Sequence, residues 1–365
     1  MIGLGDVYTV VVAMAPLYFA LFLGYGSVKW WHIFTKEQCD IINHFVCYFT
    51  IPLFTLQFTA QMDPYNLNYR FIGADVIAKA VIVAVLAVWA KYSKHGSFRW
   101  FITTFSLCSL NNSLVMGVPI MEAMYGKAGT DLVVQSSTVQ TLLWMKILIL
   151  VLEVYRFKTS VSPNELEKHE SDIEENEVVS TNSSSKPSLR ELIKVVLLKL
   201  VVHPTTYPCV LGIAWALISK RWNVKMPSIV EGCILVLSTA GTGTSMFSLG
   251  IFMTTQEKII ACGVKLTLLG LILRFAAGPA AMAIGAFAMG LRGTVLCMTI
   301  VQAALPQAIA SFVYAKDYGL HAACDNRHNS LAPCADSILC SCRVPYLITH
   351  VRLLTFYPVL VDKKC

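Results

Sequence analysis

Two stretches far apart in the chain place amides and a proline inside otherwise apolar runs, Ser109-Leu-Asn-Asn-Ser-Leu-Val-Met-Gly-Val-Pro119 and Ala304-Leu-Pro-Gln-Ala-Ile-Ala310. Each leads to a Tyr-Gly pair, Tyr125-Gly126 and Tyr318-Gly319, so that Asn111 and Asn112 fall close to where Pro306 and Gln307 fall. Proline lacks an N–H and clashes with the preceding turn, so a helix carrying Pro306 is expected to break there. Lipid cannot satisfy the freed main-chain groups, which are tolerated only against protein or a water-filled cavity. A half-helix N-terminus at such a break favours a carboxylate. The chemistry on offer is thus capture of a small organic anion, with Gln307, Asn112 and nearby main-chain donors as a cradle. A plain proline kink is the competing reading, and the matched pair of interruptions is what favours a site.

Four further polar groups sit within apolar runs. Asp75 and Lys79 are four residues apart, share one helix face and can pair across a turn. Charge at that depth is costly and marks function more often than structure, although a purely structural pair or a snorkelling lysine is the alternative. Thr55, after Pro52, and Gln140, in Val139-Gln-Thr-Leu-Leu143, each add a hydrogen-bonding group that either serves the site or bonds a neighbouring helix. Arg274 and Lys146 invite the same argument less strongly, because Lys146 could reach an interface and Arg274 precedes a Gly278-Pro279 bend.

Catalytic and metal-binding patterns do not compete. There is no His-Glu-x-x-His and no P-loop, and Gly241-Thr-Gly-Thr-Ser-Met246 lacks the third glycine of a dinucleotide fingerprint. The chain is therefore expected not to be an enzyme, and to need neither cofactor nor metal. Most of the twelve cysteines lie in or beside apolar runs without paired spacing, as small buried hydrophobes do. Cys324, His328, Cys334, Cys340 and Cys342 match no ordinary zinc spacing.

The elements that must position these residues follow from composition. Of 365 residues 56% are hydrophobic and only 14% charged, against about 25% charged in soluble domains. A bilayer core needs about 20 apolar residues of helix. Nine crossings are expected, at 7–26, 38–60, 71–90, 100–124, 132–155, 192–218, 228–253, 259–289 and 293–315. The first starts without a basic n-region or cleavage site, so it is expected to be a retained helix rather than a signal peptide. The formal charge of +7 reflects loop placement rather than nucleic-acid binding. With alternating spans, ten basic residues from Lys29 to Lys258 fall on one side and Arg70, Lys127, Lys220, Arg221, Lys225 and Arg292 on the other, which puts the richer side in the cytosol.

One long polar stretch, with seven acids from Glu165 to Glu177 and a Ser-rich run before Pro187, reads as a disordered linker. The expected organisation is an all-α polytopic membrane protein. A first membrane repeat of five helices spans 1–156, a short cytosolic loop 157–190, a second repeat of four helices 191–321, and a Cys-rich tail 322–365.

These residues resemble the plant PIN-FORMED auxin efflux carriers. The resemblance runs through Pro16-Leu-Tyr18, Glu37-Gln-Cys39, Ile51-Pro52, Gly117-Val-Pro119, Met246-Phe-Ser-Leu-Gly250 and Val301-Gln-Ala-Ala-Leu-Pro-Gln307, over residues 1–321. The short linker is similar to the family's short-loop, endoplasmic-reticulum branch. The resemblance implies two inverted five-helix repeats and elevator-like alternating access, with the fourth and ninth helices broken at a crossover holding the carboxylate of indole-3-acetate. It assigns the crossover to Asn111, Asn112, Pro306 and Gln307, with Thr55, Val115 and Gln140 lining the pocket and Asp75 with Lys79 supporting it. It also implies a homodimer in the lipid bilayer that contributes to auxin homeostasis and signalling, with the plasma membrane as the alternative location.

Two departures stand out. The family's Leu-Pro-Asn in the fourth helix reads Leu110-Asn111-Asn112 here, so the first break is expected to be less sharp. After His321 the family continues into an apolar tenth helix, whereas this chain reads Ala322-Ala-Cys-Asp-Asn-Arg-His-Asn329. The later run 344–361 carries His350 and Arg352 at its centre, which makes it a poor span. A different reading frame or splice would produce such a tail. Impaired transport is then expected, and a non-transporting partner or receptor, or a sodium-coupled organic-anion carrier of similar fold, are the alternatives.

Overall fold

The computed structural model describes residues 4–93, 98–161, 204–254 and 264–308. Among them the chain is helical, and its one strand-like pairing is a single antiparallel bridge between Asn111 and Gln307. Helix α1 spans Leu4–Lys29, α2 Lys36–Gln61 with a π turn at Val46–Thr50, α3 Tyr69–Tyr92 and α4 Phe98–Ser109. The π turn Ser113–Gly117 leads into Val118–Val139, which Gly126 divides at φ 62° and ψ −149°. The part before Gly126, from Ser113, is α5; the part after it, α6, continues through the π turn Gln140–Trp144 and Met145–Val161. Helices α7, Thr206–Trp222, and α8, Ser228–Thr254, follow. Helix α9 comprises Val264–Ile272, the π turn Leu273–Ala277 and Gly278–Ala288, and α10 is Gly293–Ala303.

Local sequence explains the helix ends. Thr35 and Gln38 form a reciprocal capping box that starts α2: the threonine hydroxyl accepts from Gln38 N, and the glutamine amide accepts from Thr35 N. The Asn68 side chain caps α3 by accepting from Phe71 N, while Asn68 N donates to Gln135 Oε1 and fixes α3 against α6. Asn223 ends α7 in the left-handed conformation that asparagine tolerates. Trp30, Trp31, Tyr65, Tyr69, Tyr92 and Trp222 are exposed at helix ends, as in an aromatic belt at a membrane surface.

Six helical stretches among the described residues are long and apolar enough to cross a membrane: Tyr8–Lys29, Lys36–Gln61, Tyr69–Tyr92, Ser113–Arg156, Ser228–Thr254 and Leu268–Ala288. Nine crossings were expected, and the difference has particular causes. The span expected at 100–124 is two half-helices, α4 and α5, separated at residues 110–112. The span at 293–315 is described only as α10 and the residues to 308, and the first part of 192–218 lies outside the described residues. Helix α6 continues to Val161, past the start expected for the linker at 157. The rest of that linker and the Cys-rich tail lie outside the described residues.

Two packed groups meet at the helix breaks. Helix α1 lies along α8, and α2 against α7 and α8; helix α3 lies along α9 and α9 against α10. One apolar cluster joins Phe71 and Ile82 of α3 to Met121 of α5, Val133 of α6, Met282 of α9 and Met298 of α10. A second joins Met14 of α1, Phe54 of α2 and Met246 of α8 to Val115 and Ile120 of α5 and to Leu305. The half-helix α5 is thus wedged between the two groups.

Candidate functional site

The two breaks come together in space. Asn112 N donates to Pro306 O at 2.7 Å and Ala308 N donates to Leu110 O at 3.2 Å, so the two interruptions run antiparallel and pair as a single rung. Each break thereby satisfies main-chain groups that the other would leave orphaned in a medium without water. Asn112 N and Ala308 N are therefore engaged across the two breaks. The first bonds of α5 run from Met116 N and Gly117 N to Asn112 O, so the N–H groups of Ser113, Leu114 and Val115 precede any carbonyl of their own helix.

Gln140, where α6 enters its π turn, holds the first break from the side. Its Oε1 accepts from Asn111 N at 3.0 Å and its Nε2 donates to Asn111 O at 2.6 Å. The Asn111 side chain reaches the other break, donating from Nδ2 to Gln302 O at 2.6 Å and accepting at Oδ1 from Ser113 Oγ at 3.0 Å. Gln302 Nε2 donates to Ser113 Oγ at 2.7 Å and to Ser136 Oγ at 3.1 Å. Gln307 is buried, with its Nε2 3.4 Å from Ser106 Oγ. Asn111, Gln302 and Gln307 are all less than 9% exposed, and in such surroundings each hydrogen bond of a polar network is strengthened.

Asp75 and Lys79 form the expected pair on α3, both carboxylate oxygens accepting from Lys79 Nζ at 2.7 Å. Trp144 Nε1 of α6 donates to Asp75 Oδ2 at 2.8 Å, and the ammonium lies 4.6 Å from the centre of the Trp144 ring. The pair lines a cavity of about 20 Å³ together with Ser109, Asn111, Ser136, Gly278 and Gln302. That volume holds about one water molecule. Ser109 Oγ and Gln302 Oε1 on its wall are buried without a partner among the described residues.

Two of the expected pocket residues stand apart from this network. Thr55 is buried in α2 with its hydroxyl donating to Ile51 O at 2.9 Å, within its own helix. Val115 packs with Phe54, Met14, Met246 and Leu305 in the second apolar cluster. Its side chain faces the α1, α2 and α8 group, across which the pocket would have to open.

Arg274, ranked below Asp75 and Lys79 in the sequence, lies where the two breaks meet. It is completely buried in the π turn of α9. Its guanidinium donates to Leu107 O at 3.0 Å and Leu110 O at 3.3 Å on one side, and to Leu305 O at 2.7 Å and Pro306 O at 3.4 Å on the other. The arginine thus caps the ends of both interrupted helices. Ser113, Ser136 and Gln302 were missed, since small polar residues are routine in membrane helices and carry no distinctive spacing. Among the described residues no group of three His, Cys, Asp or Glu side chains is placed to hold a metal.

An all-helical chain with apolar helices of membrane length, in which the ends of two shorter helices, α4 and α10, meet at a buried polar network, has the build of a membrane transporter rather than an enzyme. Comparison with known proteins agrees. Residues 9–326 match the family described as membrane transport protein. Auxin efflux carrier component 5 of Arabidopsis thaliana is 58% identical over 323 residues, 88% of this chain and 91% of that protein. Probable auxin efflux carrier component 5a of Oryza sativa subsp. japonica is 51% identical, covering 88% and 92%. Auxin efflux carrier component 8 of Arabidopsis thaliana is 35% identical with the same coverage. The chain belongs to the auxin efflux carriers, on their short-loop branch, within the membrane transport protein family.

Proposed function

We propose that this chain carries the indole-3-acetate anion across an internal membrane, that of the endoplasmic reticulum, and so contributes to auxin homeostasis within the cell. The observation that carries this reading is the antiparallel pairing of the two breaks at Asn111 and Gln307. That pairing leaves the N-terminus of α5 facing the second cluster, and a helix N-terminus is a ready site for a carboxylate. The repeats at 1–156 and 191–321 are read as inverted copies, whose fourth and ninth helices cross here. The α1, α2, α7 and α8 group serves as scaffold and the group around α3 and α9 as the moving part of an elevator. Asn111, Asn112, Pro306 and Gln307 form the crossover, with Thr55, Val115 and Gln140 lining the substrate's side and Asp75 with Lys79 bracing it. Two such chains would pair as a homodimer.

Both oxygens of Asp75, the one acid lining the cavity, are engaged by Lys79. This favours transport without sodium over a sodium-coupled carrier. Uptake of labelled indole-3-acetate into vesicles carrying the purified full chain tests the reading; no uptake above protein-free vesicles refutes it. A second reading, a membrane partner that binds without moving substrate, is favoured by residues 327–365 lying beyond the family match. Saturable binding with no flux would select it.

A further inference from the structure

Arg274 does more at the crossover than fill hydrogen bonds. Its hydrogen-bond partners among the described residues are main-chain carbonyls, on Leu107, Leu110, Leu305 and Pro306, and none is a carboxylate. These carbonyls lie at the C-terminal ends of α4 and α10 and on the connections just beyond them. Helix C-termini carry about half a negative charge each, so one guanidinium offsets the two ends together. The charged side chains lining the adjacent cavity, Asp75 and Lys79, offset each other. What remains without a counterpart among the described residues is the positive end of α5, beginning at Ser113.

A second observation brings the arginine's own helix to the same place. Gly278, one turn after Arg274, leaves so little room that a Cβ there would lie 2.9 Å from Cys108 O and 3.8 Å from Ala303 O, again the ends of α4 and α10. Arg274 and Gly278, four residues apart, share this face, and the π turn Leu273–Ala277 that carries the arginine is of a kind that recurs at functional sites.

We propose that Arg274 sets the charge selectivity of the transport site. By cancelling the negative ends of α4 and α10, it leaves the α5 N-terminus to attract a carboxylate unopposed. The proposal rests on the reading that a carboxylate binds at this crossover. It makes Arg274 a positioning residue that acts through the helix ends rather than by touching substrate.

The test is equilibrium binding of indole-3-acetate and of its neutral amide, indole-3-acetamide, to the purified full chain and to two variants. Arg274→Gln keeps donors and removes the charge, so its Kd for the acid rises about tenfold while that for the amide changes less than about twofold. Arg274→Lys keeps the charge and loses the fork, so the ratio of the two affinities stays within about twofold of the parent's. Equal weakening of both ligands in Arg274→Gln, an unchanged ratio there, or a ratio in Arg274→Lys that falls as far as in Arg274→Gln overturns the proposal. Should Arg274→Gln fail to fold, Arg274→Lys decides alone by the ratio it keeps or loses. A parent chain that binds neither ligand refutes the carboxylate site itself, and that result is separate from any behaviour of the variants.

Discussion

Gln140 grips both main-chain polar atoms of Asn111, accepting from its N–H at 3.0 Å and donating to its carbonyl at 2.6 Å. An isolated break in a membrane helix would leave these atoms bare; here one side chain imitates a paired strand. In Gln140→Leu both atoms lose their partner at a site that is 7% exposed. Each buried unsatisfied group costs about 1–3 kcal/mol, so the variant should melt well below the parent in detergent. A midpoint equal to the parent's would show that the grip contributes nothing to the fold.

The Asp75–Lys79 pair yields an asymmetric prediction. Removing one partner of a buried pair costs about 3–5 kcal/mol, because the other is left charged and alone. Asp75→Asn should therefore destabilise strongly. Lys79→Met should destabilise less, since Trp144 Nε1 still donates to the carboxylate at 2.8 Å. The double variant should recover much of the loss, a coupling that a double-mutant cycle of thermal unfolding reads directly. Additive effects would mean the two charges do not depend on each other.

Gly126 divides α5 from α6 at φ 62° and ψ −149°, with nothing within 4 Å of where a Cβ would stand. The space is open, so the cost of Gly126→Ala is conformational alone, about 1–3 kcal/mol. Gly243 in α8 has equally open surroundings and ordinary helical backbone. There an alanine is expected to be neutral or to stabilise by up to about 1 kcal/mol. Thermal unfolding of the two variants side by side separates backbone strain from packing; equal midpoints would remove Gly126 as the divider.

How much of this was legible in the sequence depends on the kind of signal. The breaks at Asn111-Asn112 and Pro306-Gln307 were visible because amides and proline interrupt apolar runs, and the Asp75–Lys79 pair because a four-residue spacing fixes a helix face. Gln140 was visible as a lone amide, but not its target, since whether it bonds a helix or lines a pocket depends on where Asn111 lies. Arg274 ranked below that pair because its partners are carbonyls up to 167 residues away, and main-chain groups leave no trace in side-chain spacing. The four π turns among the described residues, at Val46–Thr50, Ser113–Gly117, Gln140–Trp144 and Leu273–Ala277, were not foreseen either. An extra residue in a turn alters no hydrophobic period over so short a stretch. The first break opens without the family's proline: Asn112 N bonds Pro306 O, and Gln140 holds Asn111.

The most direct measurement is the initial rate of indole-3-acetate uptake into liposomes reconstituted with equal amounts of the parent chain and of Gln140→Ala. The paired crossover predicts saturable uptake by the parent, and at least about a tenfold lower rate at equal concentration for the variant, since small misplacements of a binding constellation cost that much. Uptake by folded Gln140→Ala at the parent's rate would contradict it, and would move the transport site away from the junction of Asn111 and Gln307.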